Sequence, residues 1–117
     1  MWPESRSGSK ISPRIIAQLE NRLRTHVKAK WPSCKALIVR SRGAFAYIDV
    51  QGERDDQPEP ACRLRYMGSL ERWGFAYFTW SREAYESSYL ENGQPFGSPE
   101  ECFDAAVFPI LGPSPPS

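Results

Sequence analysis

ALIVRSRGAFAYIDV, residues 36 to 50, is the stretch on which the fold turns. β-Branched and aromatic residues flank Ser41-Arg42-Gly43, a pattern that predicts two antiparallel strands joined at glycine. Two registers fit. With Arg42-Gly43 as a two-residue turn, Leu37, Val39, Ala46 and Ile48 share a face; with Gly43 as the left-handed residue of a bulged three-residue loop, Leu37, Val39, Phe45 and Tyr47 share one.

On the N-terminal side of this hairpin the period changes from two to about 3.6. Ile16, Leu19, Leu23, Val27 and Trp31 recur every three or four residues, which predicts a helix docked along one stripe. Ser12-Pro13 supplies an N-cap hydroxyl and a first-turn proline, and Trp31-Pro32 ends the helix after Lys30. Arg14, Arg24 and Lys28 lie on the arc opposite the stripe.

On the C-terminal side, Cys62, Leu64 and Tyr66 alternate with Arg63 and Arg65, as in a half-buried strand with an arginine side. Trp73 to Trp80 is apolar on both faces, with Trp73, Phe75 and Tyr77 on one and Gly74, Ala76, Phe78 and Trp80 on the other. That is the pattern of a central strand covered twice. Tyr85 to Leu90 before Asn92-Gly93 reads as a fifth strand entering a tight turn. Ser98-Pro99-Glu100-Glu101 is a capping box with proline in the first turn, so a closing helix begins there with Phe103, Ala106, Val107 and Ile110 as its docking stripe. Pro109 implies a break or kink in its last turn. The expected fold is α+β, a two-layer sandwich of an antiparallel four- or five-stranded sheet with an N-terminal and a C-terminal helix.

Residues 12–112 are expected to form a single domain, and a chain of about 100 residues buries roughly 60–70% of its unfolded surface without disulfides. Residues 1–11 and the Pro/Ser tail 113–117 are too poor in apolar side chains to offset the entropy of ordering, and are expected to be disordered. Cys34, Cys62 and Cys102 are odd in number and contain no C-x-x-C pair, which argues against a disulfide framework or a zinc site. The start lacks the apolar run of a signal peptide and no segment has membrane-spanning hydropathy, so a cytoplasmic protein without a membrane partner is expected.

Charge is unevenly distributed. The first 42 residues carry ten Lys or Arg against two Glu, and the remaining 75 carry five against twelve carboxylates, although the whole chain is only +1. Such polarity implies either a partner of opposite sign or neutralisation within the fold.

Catalytic features are sparse, and no cofactor or metal is expected. The one histidine, His26, flanks the apolar stripe, a setting commoner for packed than for catalytic imidazoles. Glu53-Arg54-Asp55-Asp56-Gln57-Pro58-Glu59 clusters carboxylates without the spacing of a calcium loop, so it reads as a solvated acidic loop. The glycines are isolated and form no phosphate cradle. Whether the chain is an enzyme is left open, and an acidic groove of Asp49, Glu83, Glu86 and Glu91 is the weakest of three functional readings.

The leading reading is a non-enzymatic binding module. Arg14, Arg24, Lys28, Lys35, Arg40, Arg42, Arg63 and Arg65 are candidate phosphate contacts, and Phe45, Tyr47, Trp73, Phe75 and Tyr77 are a candidate aromatic surface on which bases could stack. The alternative is a protein partner or a second copy of the chain docked on an apolar sheet face. A pI near 7.7 mildly favours that alternative, because dedicated nucleic-acid domains are commonly more basic.

The helix–strands–helix order is similar to that of the double-stranded RNA-binding domain, which grips phosphate at the start of its last helix. Here that position holds Glu100 and Glu101 and at least one strand is extra, so the family is not assigned. Arg42-Gly43-Ala44-Phe45-Ala46-Tyr47 matches only a fragment of the RRM aromatic-glycine signature, and the helix order differs.

Overall fold

Ser12 starts the first helix, α1 (Pro13–Lys30), by accepting a hydrogen bond from the Ile15 N–H at 3.2 Å in the computed structural model, which describes residues 10–112. Leu19, Leu23, Val27 and Trp31 are buried along the expected stripe. Full burial of a leucine contributes about 1.5–3 kcal/mol, so these contacts rather than helix propensity hold α1 in place. Ile11, expected in the disordered leader, is buried instead, and its N–H bonds to the Gly43 carbonyl at 2.9 Å. The remainder of that leader and the tail lie outside the described residues.

Six strands follow: β1 (Cys34–Arg42), β2 (Phe45–Gly52), β3 (Glu59–Ser69), β4 (Arg72–Thr79), β5 (Ala84–Ser87) and β6 (Phe96–Gly97). All pair antiparallel in the order β1-β2-β3-β4-β5, with β6 also on β4. Arg42 pairs with Phe45, so the β1–β2 turn is Gly43-Ala44, with Gly43 at φ +61°. A positive φ at the first turn position suits a type II′ hairpin and favours glycine. This register keeps Leu37, Val39, Ala46 and Ile48 on one face, as in the first of the two arrangements read from sequence, but the turn lies one residue later than the Arg42-Gly43 of that arrangement and the pairing differs accordingly.

The edge strand beside β4 is interrupted. β5 pairs with Ala76–Thr79 and β6 with Trp73–Gly74, successive stretches of the same edge. Between them the chain loops away. The Phe75 carbonyl accepts from the Ser88 N–H at 3.3 Å and its N–H donates to the Pro95 carbonyl at 2.9 Å, so one residue holds both ends of the excursion. The fifth strand is therefore shorter than expected, ending at Ser87.

The second helix, α2 (Pro99–Leu111), has the expected capping box: Glu101 N–H donates to Ser98 Oγ at 3.2 Å and Ser98 N–H donates to Glu101 Oε1 at 2.9 Å. Pro109 does not break it. The helix runs on to Leu111, because at this position only a last-turn hydrogen bond is given up before Gly112 ends the helix. Both helices pack on the same face of the sheet and against each other, over a core that includes Ile48, Leu64, Trp73, Phe103 and Val107. The result is a two-layer α+β sandwich. No described helix is long and apolar enough to cross a membrane.

Part of the charge asymmetry is settled within the fold, mostly between the two helices. Arg22 of α1 forks onto Glu71 at 2.6 Å and Glu100 at 2.8 Å, and Lys30 reaches Asp104 at 2.9 Å. These partners belong to the β3–β4 turn and α2 rather than to the acidic loop after β2, where Asp55 instead accepts from the Gly52 N–H.

Candidate functional site

Because side chains alternate along a strand, covering one sheet face with helices leaves the other parity facing away from them. The registers align those residues in two adjacent rows. One runs Arg42, Phe45, Arg65, Gly74, Phe96 across β1, β2, β3, β4 and β6; the other runs Arg40, Tyr47, Arg63, Ala76, Ser87 across β1 to β5. Each row reads cation, aromatic, cation, small residue. Ring contacts then link the face diagonally: Phe45 to Tyr47 at 6.4 Å, Tyr47 to Tyr85 at 5.4 Å, Tyr85 to Phe78 at 5.1 Å and Phe78 to Trp80 at 4.9 Å between centroids. Trp80, 60% exposed, ends the series.

The arginines are held by rings more than by carboxylates. The Arg63 guanidinium lies 4.5 Å from the Phe45 ring centre and 5.6 Å from that of Tyr85. It makes no hydrogen bond or ion pair with a described residue, and its Nε is buried without a partner. Arg40 lies 5.7 Å from the Tyr47 ring centre and also pairs with Asp49 at 3.3 Å. Arg72, on the same parity of β4, covers the Phe96 ring at 4.6 Å. Arg42 and Arg65 are exposed and have no described carboxylate partner. Burial, reinforced by Asp49, pushes the Tyr85 phenol above its ordinary pKa, so it stays a neutral hydrogen-bonding group.

Beside the aromatic series, Gly74 and Ala76 form the floor of a groove of about 290 Å3, bordered by Phe45, Arg63, Arg65 and Met67 on one side and by Ser87, Pro95 and Phe96 on the other. A larger concavity of about 780 Å3 lies on the helix layer, lined by Trp31, Tyr89, Asp104 and Phe108 among others.

The residues singled out from sequence divide between the layers. Arg40, Arg42, Phe45, Tyr47, Arg63 and Arg65 come together on the helix-free face. Trp73 and Phe75 do not join them: they are 0% and 6% exposed beneath the helices, with Tyr77 on the same parity of β4 at its more open end. The second face of β4 is shielded by side chains of neighbouring strands rather than by another layer. Arg14, Arg24 and Lys28 are exposed on α1, where Arg24 is tied to Glu20 and to the Leu37 carbonyl at the β1 edge. Lys35 is exposed near the start of β1.

The four carboxylates of the acidic-groove reading do not converge. Asp49 is on the helix-free face with Arg40, Glu86 is paired with Arg82 on β5, Glu83 sits in the β4–β5 turn, and Glu91 lines the helix-layer concavity. His26 is bonded to Asp104 at 2.7 Å and edge-on to Phe103. Burial pushes the Cys62 and Cys102 thiols up, the latter to about 12, while Cys34 Sγ donates to the Ala36 carbonyl. Gly74, Arg72, Tyr85 and Phe96 belong to the site but were not singled out; the alternation Arg72, Gly74, Ala76, Phe78 was the available signal for two of them.

No family model matches the chain, and no curated protein or solved structure shows a significant similarity to it.

Proposed function

We propose that the chain is a non-enzymatic nucleic-acid-binding module whose contact surface is the helix-free face of its sheet. The observation that carries this reading is Arg63, set against two aromatic rings with no carboxylate partner among the described residues, in a face where arginines and aromatics alternate. A guanidinium stacked on a ring keeps its edge donors for phosphate, and exposed rings offer stacking surfaces to bases. Near-neutral overall charge is compatible with this use, because Glu71, Glu100 and Asp104 are engaged by Arg22 and Lys30 away from the face. Three unpaired thiols suit a reducing setting such as the cytoplasm.

Titration of a labelled oligonucleotide at several salt concentrations tests the proposal. Contacts by Arg42, Arg63, Arg65 and Arg72 predict a log–log slope of about −3 for a single strand, and Arg63→Ala with Arg65→Ala reduces it by about 1.4. Arg24→Ala with Lys28→Ala, on the helix layer, leaves it unchanged. Absence of binding at low salt overturns the proposal. If the protein then sediments as a dimer at micromolar concentration, the face is a protein interface, the reading favoured by exposed Ile38 and Trp80.

A further inference from the structure

The geometry points to a seat for one unpaired nucleobase in the groove above Gly74 and Ala76, making single strands the preferred ligand; this rests on the sheet-face reading above. At about 290 Å3 the groove is at the lower limit of small-molecule sites, a size suited to one planar ring system rather than a larger ligand. Both walls carry an aromatic ring with an arginine upon it, Arg63 on Phe45 and Arg72 on Phe96, at 4.5 and 4.6 Å. A base between these walls has a guanidinium–ring pair on each side of it, and the phosphates before and after it have a cation within reach on either side.

Gly74 supports the same conclusion. Glycine weakens a strand interior and commonly marks the close approach of a ligand or another backbone. This one is not at positive φ, so backbone conformation does not demand it. A Cβ at position 74 would stand 3.3 Å from Arg65 Cβ, closer than side chains ordinarily pack, and 3.8 Å from Met67 Sδ, so the glycine makes room for Arg65 and also leaves the floor of the groove bare. A duplex stacks its bases internally and has no open ring face to insert, so it gains nothing from this seat.

Fluorescence anisotropy with three labelled probes of equal length tests the seat: oligo(dT), an abasic strand with the same phosphates, and an oligo(dT)–oligo(dA) duplex. The intact strand is expected to bind at least about fivefold tighter than the abasic strand at equal salt. Gly74→Leu is expected to remove most of that advantage, the intact strand losing more affinity than the abasic strand or the duplex. Phe96→Ala, from the half-buried wall, is the second variant should Gly74→Leu fail to fold, and it reduces the advantage severalfold. Equal binding of intact and abasic strands, an advantage that survives both substitutions, or equal loss of duplex binding overturns the seat. Salt-sensitive binding of abasic strands alone leaves the sheet-face reading standing, whereas absence of binding by all three probes removes both.

Discussion

Trp31 Nε1 donates a 2.7 Å hydrogen bond to Asp104 Oδ1, so the residue that caps α1 is fastened to the middle of α2. His26 Nε2 meets the same oxygen at 2.7 Å and Lys30 Nζ reaches the other at 2.9 Å. One partly buried carboxylate thus orders three groups of the first helix and its cap.

Burial pushes the Asp104 carboxyl up, but hydrogen bonds from Trp31, His26 and Lys30 outweigh it and hold the pKa below its ordinary value. A depressed folded-state pKa gives stability that is present above the unfolded pKa and lost as pH falls through the folded one. Asp104→Asn should therefore be less stable than the parent near neutrality, with the gap narrowing between about pH 5 and pH 2. Urea melts across that range check it, and a gap independent of pH would assign the loss to packing.

Arg22 joins the β3–β4 turn to α2 through Glu71 and Glu100. Hydrogen bonds to charged groups contribute about 1.5–3 kcal/mol when partly shielded, so Arg22→Ala should cost on the order of 2 kcal/mol. A double-mutant cycle with Glu100→Ala separates the pair from the lost arginine stem. A coupling below about 0.5 kcal/mol would reduce the fork to a surface ion pair.

Ser98→Ala removes the acceptor for the Glu101 N–H, one of the donors left open at the start of α2. Denaturant melts should show a loss of about 1 kcal/mol. Glu101→Ala should cost less, because Ser98 still accepts from position 101.

Cys62 and Cys102 are buried, and their thiols are raised well above the ordinary value. Both should resist iodoacetamide at neutral pH in the folded protein and react after unfolding, as thiolate is the nucleophile. Mass-resolved labelling should find Cys34, the half-buried one, modified first.

Helix ends were legible because they depend on neighbouring residues. Ser12-Pro13 and Ser98-Pro99-Glu100-Glu101 carry their own capping chemistry, and both caps stand where the sequence puts them. Strand parity was legible within each strand but not between strands. Phe45 and Tyr47 were grouped with Trp73 and Phe75, yet whether two strands share a parity depends on a register set across the intervening turn and loop. Because β4 is apolar on both sides, its own pattern does not tell which side the helices cover, and Trp73 and Phe75, read as part of an open aromatic surface, are the ones buried beneath them. The aromatic–arginine site was legible as composition, but its rows exist only once five strands are in register. The interruption after Ser87 depends on hydrogen bonds to distant Phe75, which no local pattern encodes.

Since Ser88 and Pro95 attach at the same residue, the chain between them leaves the sheet and returns to the place it left. Extra residues there displace no paired strand, and doubling a loop's length adds only about 0.6 kcal/mol of closure entropy. The turn at Asn92-Gly93, exposed at the tip, is a ready splice point. A foreign cassette inserted there, whether a reporter peptide or an entire second domain, would be carried as a side branch, opening a route to equipping this scaffold with new parts.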